Sequence, residues 1–279
     1  MRSSLEHDDA GVPGPDDRVF RLLRAYCQGA VIAVAGLACL VLLGWVFHVR
    51  FLMSVVPGLV SMKVNTALGL AVAAISLGLL LPGQCRGWRG RAARLLASSV
   101  LLLGVLSLSQ YLFAVNLGID EWLIWDTEGS VGTSSPGRMA PMTAIAFVAI
   151  GAALLSLDWK PRRGGRPAQV LSLLAGLIAL MALCGYVYHA AALTRLLMYT
   201  QVAVHTAVGL FLLSGAIFFA RPQAGMAGDI TGAGTGSLMA RRFLPAVFFF
   251  PLVLGWIRLR GQYAGLYGTE LGSALYATA

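Results

Sequence analysis

Leu43-Gly44-Trp45-Val46-Phe47-His48 followed by Asn65-Thr66-Ala67-Leu68-Gly69-Leu70 decides how this chain folds, because the pattern returns. Cys184-Gly185-Tyr186-Val187-Tyr188-His189 leads in the same way to His205-Thr206-Ala207-Val208-Gly209-Leu210. A looser copy runs from Ser109-Gln110-Tyr111-Leu112-Phe113 to Met142-Thr143-Ala144-Ile145-Ala146-Phe147. A fourth opens with Leu254-Gly255-Trp256-Ile257 and reaches Thr269-Glu270-Leu271-Gly272 close to Ala279. Each copy is an apolar helix with an aromatic tip, a loop, and a new helix opened by a Thr-Ala pair. Repetition on this scale means stacked supersecondary units.

Working outward, 58% of the residues are hydrophobic and 12% charged, against roughly 25% charged in a soluble domain. The expected fold is all-α: a polytopic membrane helix bundle of repeated helical hairpins. Apolar stretches near 25–47, 62–81, 95–115, 139–157, 168–187, 201–220 and 243–257 read as seven complete spans across ~30 Å of hydrocarbon. An eighth begins near Thr269, and the eleven positions 269–279 reach only ~16 Å at ~1.5 Å per residue. The expected organisation is a cytoplasmic tail over 1–24 and a membrane domain over 25–279, incomplete at its C-terminus.

The net charge of +9 does not indicate a nucleic-acid partner, because the basic residues are sorted by side. The tail and alternate loops hold fifteen of them, including Arg18, Arg21, Arg24, Arg89, Arg91, Arg94, Arg166, Arg221 and Arg241. The opposite side holds six: Arg50, Lys63, Arg138, Arg195, Arg258 and Arg260. This asymmetry places the N-terminus in the cytoplasm. Cys27, Cys39, Cys85 and Cys184 are scattered and imply neither a disulfide framework nor a zinc site. The Gly-rich stretch within 221–242 lacks the lysine of a phosphate loop and reads as a flexible linker. Trp122 and Trp125 among the acids of 116–138 suit a segment at headgroup depth, or a lid that touches a ligand.

Asn65, Thr66, Thr143, Thr206 and Thr269 fall at helix starts, where they are expected to cap free N–H groups. The small residues after them permit close helix packing. The functional alternative gathers these helix N-termini on the outer face as a receptor for an anion, helped by Arg138, Arg258 and Arg260. Glu270 belongs to the same face in the fourth copy. His48, His189 and His205 share that side, where they either hydrogen-bond locally or hold a metal or haem. No metal or cofactor is assigned to them. Asp, Glu, Lys and Arg are missing from the middle of every apolar helix, which disfavours an ion-coupled transporter. Ser98, Ser99, Ser107, Ser109, Gln110, Ser172 and Ser214 read as helix–helix hydrogen bonders. No catalytic residue emerges.

Ala240-Arg241-Arg242-Phe243-Leu244-Pro245, then Pro251-Leu252-Val253-Leu254-Gly255-Trp256-Ile257-Arg258, then Gly265-Leu266-Tyr267-Gly268-Thr269-Glu270-Leu271-Gly272 resembles the end of a known membrane region. It is the N-terminal multi-pass input region of bacterial PAS/GAF-containing sensor histidine kinases. Gly137-Arg138-Met139-Ala140-Pro141-Met142-Thr143-Ala144 resembles the same group, with Met142 where Asn is common. The resemblance implies a sensory input module in a bacterial inner membrane, a homodimer, and a cytoplasmic PAS, GAF and kinase output absent from this chain. The full-length protein would then be a histidine kinase. A small carrier or channel subunit and a haem-binding electron carrier stand as alternatives.

Overall fold

A computed structural model describes residues 17–54, 59–83, 87–122, 136–159, 165–188 and 201–265. Every regular element among them is helical. The elements are α1 (Asp17–Val46), α2 (Arg50–Met53), α3 (Val64–Leu80), α4 (Trp88–Leu112) and α5 (Pro141–Leu155). They continue with α6 (Pro167–Val187), α7 (Val204–Phe219), α8 (Gly225–Thr231) and α9 (Thr235–Tyr263).

Three hairpins, α1–α3, α4–α5 and α6–α7, carry the three sequence copies and close into a ring in which α7 returns to α1. The second helices, α3, α5 and α7, also touch one another, so they form the inner layer, with α1, α4 and α6 outside. The copies align position for position in the core. Leu70, Phe147 and Leu210 are fully buried, and so are Ala73, Ile150 and Leu213 one turn on. Leu77, Leu154 and Ile217 close the far end.

Glycine brings the layers together. A Cβ on Gly104 would stand 2.8 Å from the Ala144 carbonyl oxygen, and one on Gly151 would stand 2.6 Å from the Leu101 nitrogen. α4 and α5 therefore meet backbone to backbone, as small-residue seams allow in apolar surroundings. The repeat's own glycines act likewise, Gly69 against Phe147 and Gly209 against Leu70.

The expectation of seven complete spans is corrected. Three described helices are long and apolar enough to cross a membrane: Arg18–Val46 within α1, α4 and α6. α3, α5 and α7 are apolar but run 17, 15 and 16 residues, about 22–26 Å at ~1.5 Å per residue. They are short because the chain enters each one extended. Met62 and Lys63, Met139 and Ala140, and Val202 and Ala203 are all buried before the helix begins. Non-helical backbone at membrane depth is tolerated where protein encloses it. α9 runs unbroken through Pro245 and Pro251 and exceeds the 243–257 stretch expected there. The beginning of an eighth helix lies outside the described residues.

The 221–242 stretch differs from the expected linker. Gln169 on α6 holds its start, donating from Nε2 to the Ala224 carbonyl at 2.8 Å and accepting the Met226 N–H at 2.9 Å. α8 follows, Thr231 Oγ1 donates to the Pro222 carbonyl, and α9 begins at Thr235.

Candidate functional site

The hairpins share an end, at the last turns of α1, α4 and α6 and the first turns of α3, α5 and α7. There the repeated aromatics do one job three times. Trp45 Nε1 donates to the Met62 carbonyl at 2.8 Å, Tyr111 Oη to Met139 at 2.7 Å, and Tyr186 Oη to Val202 at 2.7 Å. Each acceptor is the residue before a helix N-cap: Lys63, Ala140 or Ala203. The aromatic tip of every outer helix thus latches the extended strand that feeds its inner partner.

The threonines are not the caps expected of them. The N-cap residues are Lys63, Ala140 and Ala203, none with a side-chain cap bond. Thr66, Thr143 and Thr206 occupy the third helical position and are buried. The residue before each threonine reaches the next hairpin round the ring. Asn65 Nδ2 donates to the Ile119 carbonyl at 2.9 Å, beyond α4. Met142 packs beside Ala182 and Val202 of the third hairpin. His205 lies against the backbone of Met53 in the first. It is 5% exposed, and neither ring nitrogen completes a hydrogen bond.

Arg138 joins this end through a closed polar knot. Its Nε donates to Asp120 Oδ2 at 2.8 Å and its Nη2 to Gln110 Oε1 at 3.3 Å. Gln110 Nε2 in turn donates to Asp120 Oδ1 at 3.1 Å, and its Oε1 accepts the Leu117 N–H. The guanidinium also stands 5.4 Å from the centre of the Tyr111 ring. Asp120 therefore already meets the charge expected to greet an anion. Gln110 replaces the glycine of the other copies (Gly44 and Gly185), which is the one sequence signal that could have pointed to the knot.

Asn65, Thr66, Arg138, Thr143, His205 and Thr206 are thus brought to one buried end. His48 is exposed in the turn after α1 with φ 55°, and Arg258 is half-buried on α9. His189 and Glu270 lie outside the described residues, as do Trp125 and Thr269. Ser99, Ser109 and Ser172 bond to carbonyls of their own helices instead of a neighbour's. Ser76 does cross between helices, donating to the Ala93 carbonyl, and so does Tyr26, to Leu212.

At the opposite end the C-termini of the inner helices meet on one guanidinium. Arg221 donates to the carbonyl of Leu80, the last residue of α3, and to the Ala220 carbonyl after α7, each at 3.0 Å, and to Asp158 Oδ1 after α5 at 2.9 Å. A cation suits the negative ends of three parallel helices. Among the described residues, Arg18, Arg21, Arg24, Arg89, Arg91, Arg94 and Arg166 also stand toward this end. Comparison with protein-family models, with curated proteins and with solved structures finds no match.

Proposed function

We propose that the chain is the membrane-embedded input module of a bacterial signal receptor of the sensor histidine kinase type. In this reading α1, α4 and α6 cross the bilayer and shield the shorter inner helices. The arginine-rich end faces the cytoplasm. A stimulus at the aromatic end, around Asn65, Thr66, Thr143, His205 and Thr206, shifts the packing of the inner helices.

The observation that carries the proposal is the position of Arg221. It touches the ends of all three hairpins and is followed directly by α8 and α9, the chain's route away from the bundle. A change in how the inner helices meet is therefore transmitted to α9 as a two-state element biased by ligand. The output is a cytoplasmic kinase-type domain on the same or an associated polypeptide.

Leu70, Phe147 and Leu210, with the two layers beneath them, fill the axis where a carrier would need a polar path. The test is Arg221→Gln in the native receptor. Phosphorylation output should change several-fold at unchanged protein level in the membrane. Solute flux in proteoliposomes with no effect on phosphorylation would favour a carrier instead.

A further inference from the structure

Because the outer helices pack on the inner layer, a groove of about 320 Å³ opens between the start of α1 and the end of α3. Its walls are apolar, from Val31 and Ile32 on one side and Leu81 and Pro82 on the other. Its floor is Gly78, where an added Cβ would stand 3.3 Å from Val31 Cγ1. Arg24 and Gln28 stand at its mouth. They are a helical turn apart on α1, with Arg21 a turn further out, and all three are exposed. Arg24 has no acidic partner among the described residues, whereas Arg221 and Arg138 at the bundle's two ends are both paired.

We infer that this groove is a binding site for an anionic phospholipid, with the acyl chain along Val31, Ile32 and Gly78. The lipid phosphate accepts from the Arg24 guanidinium and the Gln28 amide. The inference rests on the membrane reading above, with the arginine end at the anionic leaflet. An apolar slot under an unpaired arginine at that depth matches a lipid phosphate in charge and in position.

The test uses the full chain purified in mild detergent, after its retention in carbonate-washed membranes is established. Native mass spectrometry follows binding of phosphatidylglycerol and of phosphatidylcholine, each added at equal ratio. At least threefold more bound phosphatidylglycerol is expected. Arg24→Gln should abolish that preference, and Gly78→Leu should reduce binding of both lipids. Equal binding of the two lipids overturns the site. So does an unchanged preference in Arg24→Gln, or thermal stabilisation by inorganic phosphate as large as by phosphatidylglycerol. A chain washed off the membrane by carbonate would instead overturn the membrane reading itself.

Discussion

Tyr186 Oη donates to the Val202 carbonyl at 2.7 Å, the same bond that Tyr111 makes to Met139 across a longer loop. The loops between latch and acceptor differ in length and sequence, yet all three end on the residue before an inner helix's N-cap. What the copies preserve is therefore the entry of each inner helix.

Removing one latch should cost one hydrogen bond and little packing. Tyr186→Phe and Tyr111→Phe should each lower the unfolding free energy in mild detergent by about 1 kcal/mol. The two should be equal within error and additive in the double variant, since they act on separate hairpins. Denaturant unfolding followed by tryptophan fluorescence reads both. Unequal or strongly coupled losses would contradict the equivalence of the copies.

The knot of Asp120, Arg138 and Gln110 should behave as a buried pair. Asp120→Ala leaves the Arg138 guanidinium unpaired and should cost about 3–5 kcal/mol, whereas the apolar double substitution Asp120→Leu with Arg138→Met should recover most of it. A double variant as unstable as the single would show that the residues act separately.

Two glycines separate packing from flexibility. Gly104→Ala pushes a methyl to 2.8 Å from the Ala144 carbonyl oxygen and should destabilise by about 1–3 kcal/mol. Gly36→Ala meets nothing within 4 Å and should be neutral or stabilise by up to ~1 kcal/mol through helix propensity. Melting temperatures of the two variants should move in opposite directions, or only the first should fall.

Gln169 fastens the departing chain to α6, so Gln169→Ala should release residues 222–226 while leaving the bundle folded. Limited proteolysis should cut there at least several-fold faster than in the parent, with the α1–α7 fragment persisting. Loss of that fragment would mean that Gln169 supports the bundle as a whole.

Much of this was legible in the sequence. The apolar stretches locate α3, α5, α6 and α7 to within a few residues, because each buries small and branched side chains at helical spacing, whereas α1 and α4 begin about two turns earlier, in arginine-bearing segments that hydropathy leaves out. The repeat identifies Trp45, Tyr111 and Tyr186, but their latches depend on extended strands that hydropathy cannot distinguish from helix. That is why α3, α5 and α7 are shorter than the stretches containing them. The Asp120–Arg138 pair was hidden because loop charges are ordinarily solvated, and only folding brings Gln110 between them. α8 has the sequence of a linker because its glycines disguise a turn held from outside by Gln169.

The proposed function makes this bundle the input end of a phosphorylating receptor. Its most direct test is precipitation from carbonate-washed membranes of the source cells, with an antibody against 221–242, followed by incubation with labelled ATP. Acid-labile phosphohistidine is expected on the precipitated polypeptide or on one that accompanies it. A precipitate that contains the chain at 29.5 kDa, incorporates no phosphate and brings down no kinase would contradict it.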